Sequence, residues 1–189
     1  MIRICILVGD GVEELDFIGV YEVLNDVRKI SNYYPDVRIV AFREGDKIVC
    51  GNGLTIVPHE VLSDFSKCNV LVVPGGRGFV MRALNDDELL NTIREYYERG
   101  GFVASVCTGS LILAKAGILR GKKATTFHRA LNVLRELGAI PVKERVIVSE
   151  RVVTAAGVTA SIDLGLKLVE ILYGEEVSRK VAEYIEYPT

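Results

Sequence analysis

The sequence predicts an α/β protein, a three-layer sandwich with a mainly parallel central sheet and a small β-hairpin excursion. Three observations carry that prediction. Apolar runs of strand length recur along the 189 residues. They are continuous rather than alternating, as strands covered on both faces require. Amphipathic helical patterns lie between them.

The first run, "IRICILV" (2–8), stops at Gly9-Asp10-Gly11, a turn, and leads into a helix that runs to Lys29. That helix opens on the acidic stretch "GVEELD", and acid suits the positive end of a helix. After the second run, "VRIVAF" (37–42), the stretch "REGDKIVCGNGLTIVPH" (43–59) mixes short strands with turn residues and reads as the hairpin excursion. The central run "VLVVP" (70–74) precedes a helix in which Leu89, Ile93, Tyr96 and Tyr97 share a face behind "NDDE", whose Asp side chains cap. "GFVASV" (101–106) follows, then Leu131, Leu134 and Leu137 at helical spacing before Gly138, a natural stop. "RVIVS" and "RVVTA" near 145–155 are the last strands. "TASIDLGLKLVEILYG" is a further helix, capped by Thr159 and terminated by Gly174. No repeat, low-complexity tract or linker interrupts this order, so one domain over 1–189 is expected.

Composition narrows the function classes. Net charge is -2, with 23 Lys plus Arg interspersed among 25 Asp plus Glu, so no basic stripe marks a direct nucleic-acid partner. No apolar run approaches the roughly 18 residues of a membrane span, and the apolar start is too short for a signal peptide. A soluble, cytoplasmic protein is expected. The absence of Gln and Trp beside abundant Glu, Lys and Arg is a balance met in heat-adapted proteins.

Cys5, Cys50, Cys68 and Cys107 are widely scattered, and the only histidines are His59 and His128. Neither a zinc site nor a disulfide framework is expected from that spacing. Cys5, mid-strand, reads as a small buried hydrophobe.

Ligands of open parallel sheets bind beyond the carboxyl ends of the strands, and three strand ends carry unusual residues: "VGDGVEELD", "VVPGGRG" and "VCTGS". In the last, a buried strand gives way to Cys107-Thr108-Gly109 where a helix begins. A sharp turn there pushes the Cys107 sulfur outward, and the helix start lowers its pKa below the free-thiol value of about 8.5. Gly75 and Gly76 offer backbone N–H groups for an oxyanion or a close substrate approach, and the Thr108 N–H completes such a hole. Cys107 is the expected nucleophile. Phe17, Phe79 and Phe127 are expected as apolar pocket walls.

These stretches, with "ASVCTGSLILAKAGILRGKKATTFH" and "TAAGVTASIDLGLKLVEILYG", resemble the ThiJ/PfpI superfamily over essentially the whole chain. Cys-Thr-Gly, "LDFIGVYEVL" and "GVTASIDLGL" are most similar to its isonitrile hydratase branch and to the ligand domains attached to AraC-type regulators. The resemblance implies a flavodoxin-like, glutamine amidotransferase-like fold, Cys107 as nucleophile, Asp16 as the acidic partner of its sulfur, Thr108 as a substrate-orienting neighbour, no cofactor or metal, and a homodimer acting on a small molecule. A carboxyl facing the sulfur has its pKa raised.

Two departures stand out. Thr108, where peptidase-type members carry His, argues against a peptidase. Phe127 stands where many relatives carry a His, and His128 is one residue further on, leaving Asp16 as the proton carrier and His128 as a lesser candidate for contacting substrate. The resemblance therefore implies hydration of an isonitrile to an N-substituted formamide. Two alternatives remain: a ligand-sensing domain without turnover, and a glyoxalase- or deglycase-like stress protein in which Cys107 is redox-active.

Overall fold

The computed structural model describes residues 1–188. In chain order the elements are β1 (Arg3–Val8), α1 (Glu14–Ile30), β2 (Asp36–Phe42), β3 (Ile48–Val49), β4 (Thr55–Ile56), β5 (Glu60–Leu62), β6 (Val70–Val73), α2 (Arg77–Ala83), α3 (Asp87–Glu98), β7 (Phe102–Val106), α4 (Gly109–Lys115), β8 (Lys123–Ala124), α5 (Leu131–Glu136), β9 (Ile140–Pro141), β10 (Val146–Ser149), β11 (Val152–Ala155), α6 (Ala160–Tyr173) and α7 (Glu175–Tyr184). Seven strands form the central sheet in the order β10-β11-β7-β6-β1-β2-β5, all parallel except β10 against β11. The predicted three-layer α/β sandwich is what the chain builds. α1, α6 and α7 pack together as one helical layer, and α2 to α5 form the other.

The continuous apolar runs are explained by this covering. Every residue of β6 and β11 is buried, as is all of β1 beyond its first residue. The hairpin excursion is also present, β3 pairing antiparallel with β4 apart from the main sheet. Asp86 caps α3 as expected, its side chain accepting from the Leu89 N–H. Thr159 does not cap α6. It sits at the N-cap position without a cap bond, because its Oγ1 accepts instead from Arg145, 3.0 Å away. Sequence reasoning missed α7, although Val177 and Val181, four residues apart, give it an apolar face, and it packs on α6 and α1. Among the described residues no helix is long and apolar enough to cross a membrane.

Cys5 corrects the expectation of a lone buried thiol. It is bonded to Cys68, with the Cα atoms 5.9 Å apart and the two cysteines 63 positions apart in sequence. The reason is tertiary: β1 pairs with β6, Ile4 opposite Val70, and that register brings the segment just before β6 alongside Cys5. Cysteine spacing carries no trace of it.

Candidate active site

The site forms where chain direction across the sheet reverses. From β1 the chain steps outward to β2 and β5, then returns to β6, β7 and β11 on the other side. The carboxyl ends of the neighbouring strands β1, β6 and β7 lead into Asp16, Gly75 and Cys107 respectively. Such a switch point opens a crevice beyond the sheet.

Cys107 follows β7 directly and takes φ 55°. A positive φ at a residue with a side chain is strained by about 1–3 kcal/mol, so the surroundings must hold it. They do so through four groups. The Cys107 N–H donates to the Ala155 and Ala156 carbonyls at 3.1 and 2.9 Å, and the Cys107 carbonyl accepts from Thr126 Oγ1 and Ser110 Oγ at 2.9 and 3.2 Å. Gly109 lets the turn sit flat on β6, since a Cβ there would lie 2.0 Å from the Val73 carbonyl oxygen. The sequence Cys-Thr-Gly thus encodes a sharp strand-to-helix elbow.

The sulfur faces Asp16, the N–H and hydroxyl of Thr108, and the N–H of Val158. Asp16, 0 % exposed, accepts from the Gly75 N–H at 2.9 Å through Oδ2, while its Oδ1 has no hydrogen-bond partner among the described residues. Burial, reinforced by the nearby Glu13 charge, raises the Asp16 carboxyl to about 7, against the opposing pull of the Gly75 N–H and the thiol. The raised carboxyl follows the sequence expectation. Cys107 runs against it. Burial first, and the Asp16 charge second, push the thiol up to about 11, and the Val158 and Thr108 donors only partly offset this. A short helix whose N-terminus faces a buried, carboxylate-lined pocket does not supply enough positive potential to overcome desolvation.

Gly75 packs closely against the same groups. A Cβ added there would lie 2.6 Å from Thr108 Oγ1, 2.8 Å from Thr108 N and 2.9 Å from Asp16 Oδ2. Three polar atoms therefore crowd a position that only glycine can occupy. The Gly75 N–H is not free for an oxyanion, because Asp16 takes it. Gly76, at φ 110°, is packed backbone to backbone against Gly11–Glu13 and begins α2.

The remaining expected residues scatter. Phe17 is core, 1 % exposed, and Phe79 packs against Gly9, its ring 2.7 Å from where a Cβ would sit. Neither belongs to the wall beside the sulfur. Phe127 does line a cavity there, with exposed His128 tilted against it at 4.4 Å between ring centroids. His128 makes no hydrogen bond to Cys107 among the described residues. Sequence reasoning missed Val158, at φ 25°, Thr126 and Glu13. "GVTAS" and "ATTFH" were visible as patterns, but which of their atoms reach the cysteine depends on the β11–α6 and β8–α5 connections. Cys50, the other free thiol, is buried against Glu14 and Asp10 and also pushed up to about 11. No donor set of the kind around Cys107 surrounds it.

A parallel α/β sandwich with a cysteine on a strained elbow, facing a buried carboxyl at the switch point, defines the class. The chain belongs to the DJ-1/PfpI family, whose model matches residues 2–171. It is 36% identical to the isonitrile hydratase of Pseudomonas putida, over 98% of this chain and 78% of that protein. It is 30% identical to the deglycase TK1284 of Thermococcus kodakarensis, over 77% of this chain and 84% of that protein. The crystal structure of a ThiJ/PfpI family protein from Pseudomonas syringae superposes with a TM-score of 0.87 at 32% identity, covering 99% of this chain and 75% of that one.

Proposed function

We propose that the protein hydrates an isonitrile to an N-substituted formamide, with Cys107 as nucleophile and Asp16 as proton carrier. The observation that carries this reading is the Asp16–Cys107 pair: two buried acids, one raised to about 7 and the other to about 11, hold a single proton between those two values. The similarity to the isonitrile hydratase supplies the substrate class.

In the one-proton state, transfer from the thiol to the Asp16 carboxylate makes a thiolate and a neutral carboxyl together. Asp16 then delivers that proton to the terminal carbon of the isonitrile while the sulfur bonds to the same carbon, giving a thioimidate. Thr108 and the Val158 N–H hold the adduct. Water adds across the C=N bond, and the C–S bond breaks to leave a formamide and the thiol. Carbon gains one hydrogen from Asp16 and one oxygen from water, so the enzyme is returned unchanged. No organic cofactor or metal takes part. The test is formamide formation from an isonitrile, followed by mass spectrometry. Cys107→Ser is expected to reduce it to background; formamide formed at the parental rate by that variant ends the covalent mechanism.

The deglycase similarity favours a second reading, in which Cys107 handles an aldehyde; methylglyoxal consumption without isonitrile turnover selects it. The high thiol pKa favours a third, a ligand-sensing domain, selected by saturable binding without product. We also propose a single-domain, cytoplasmic homodimer. Leu15 and Ile18 on α1 and Val49, Leu54 and Val57 around the hairpin stay exposed, and Glu14 ties these elements together by accepting from the Asn52 N–H at 2.8 Å. Such exposed apolar groupings mark association surfaces. Sedimentation analysis at several concentrations checks the assembly.

A further inference from the structure

A cavity of about 440 Å³ opens beside the elbow, within the size range of small-molecule sites. It shares a wall with the cysteine. Thr126, which donates to the Cys107 carbonyl, Ala156, which accepts from the Cys107 N–H, and Val158, whose N–H faces the sulfur, all line it. One wall is the Phe127 ring, whose Cδ2–Cε2 edge packs against Gly157, close enough that a Cβ on Gly157 would sit 2.6 Å from Phe127 Cδ2. Leu131 extends the apolar surface.

Charge is confined to the rim and does not favour either sign. Lys143 and Glu144 are both exposed and opposite in charge. Arg145 is committed, its Nε donating to Asp163 at 2.8 Å and a terminal nitrogen to Thr159 at 3.0 Å. An anionic or cationic group entering this cavity meets no unpaired buried partner, and losing its hydration there is unfavourable. An apolar group meets the Phe127 ring behind the wall of Thr126, Ala156 and Val158 that contacts Cys107.

We infer that Phe127 is a specificity-determining residue and that this cavity receives an uncharged, apolar substituent, a ring or branched alkyl group, on the nitrogen of the molecule that Cys107 attacks. This deepens the isonitrile reading and rests on it for the identity of the reacting group, but the preference for an apolar substituent can be read without turnover. Cys107 is alkylated with N-phenyl iodoacetamide, iodoacetamide and iodoacetate. Each rate is taken relative to a free thiol of small size and followed at Cys107 by mass spectrometry. The phenyl reagent is expected to gain about tenfold over iodoacetamide, the scale of one partly buried ring, and iodoacetate to gain nothing. Phe127→Ala should remove the gain and Phe127→Leu should keep most of it. If Phe127→Ala does not fold, Gly157→Ala, which displaces the ring, is expected to remove the gain as well. An equal gain for all three reagents, or a phenyl preference that survives loss of the ring, overturns the inference. In parallel, cyclohexyl and methyl isocyanide are compared for formamide production. Failure of both with the labelling preference intact removes the isonitrile reading and leaves the apolar cavity standing. Equal kcat/KM for the two, with turnover intact, removes the apolar preference and leaves the reaction.

Discussion

Cys5 and Cys107 are both buried, one inside a strand of the sheet and the other just past a strand end, and they meet opposite surroundings. Cys5 lies within β1, flanked by strands on both sides, and meets Cys68 across the β1–β6 pairing. Its sulfur is consumed in a bond that removes conformations from the unfolded chain. Cys107 lies one residue past the end of β7, where its N–H still reaches Ala155 of β11 but its side chain turns out of the sheet and meets a carboxyl instead. Its sulfur stays free, and the pair it forms destabilises the folded state, because burial disfavours charge on either member. One cysteine stabilises the fold and the other draws on that stability. The difference is set by position relative to a strand end, not by residue type.

The largest expected effect that tests this contrast comes from Asp16→Asn. Formamide production should fall by about 10²–10⁴-fold, the usual weight of a positioned proton carrier. Stability should move the other way. The carboxyl titrates at about 7 in the folded protein against an ordinary 3.8, so the native state holds its proton more tightly than the unfolded chain. Wild-type stability therefore falls as pH rises from about 4 to 7, by up to about 4 kcal/mol, and an amide escapes that loss. Urea midpoints of both proteins from pH 4 to 8 measure it. A stability difference that stays flat across this range means that Asp16 does not carry a raised pKa.

Breaking the other pair should have the complementary signature. Reduction, or Cys68→Ala, is expected to lower stability by up to about 4 kcal/mol for a loop of this length on the chain-entropy account. It should leave kcat/KM within about twofold, since any change is confined to the far ends of strands that remain buried. Guanidinium titration with and without reductant measures the first, and an activity loss comparable to that of Asp16→Asn would dissolve the contrast.

The smallest effect sharpens it. Catalysis needs one proton on the Asp16–Cys107 pair, so the rate should rise through about pH 7 and decline near 11. Glu13 lies close enough for its charge to help raise the Asp16 carboxyl. Glu13→Gln should therefore move the ascending limb to lower pH by less than about one unit, leaving the limb near 11 in place. A limb that does not move, in a profile of kcat/KM against pH, removes Glu13 from the tuning of the pair.

The sequence by itself determined the layered α/β fold, the hairpin excursion, the three strand-end turns and the residues Asp16, Gly75, Cys107 and Thr108. The fold and the strand-end turns are legible because burial on both faces imposes continuous apolar runs, and because tight turns leave glycine and small polar residues at short spacing; Asp16, inside α1, is singled out only by the family resemblance. Only the tertiary structure decided the rest. The Cys5–Cys68 bond depends on which strands are neighbours and in what register, neither of which is local. The thiol's high pKa depends on how deeply β7 ends and on the carboxylate arriving from α1, so a helix start read alone pointed the wrong way. Val158, Thr126 and the Phe127–Gly157 wall come from connections on the far side of β11, where backbone direction, not residue type, decides which atom reaches the sulfur.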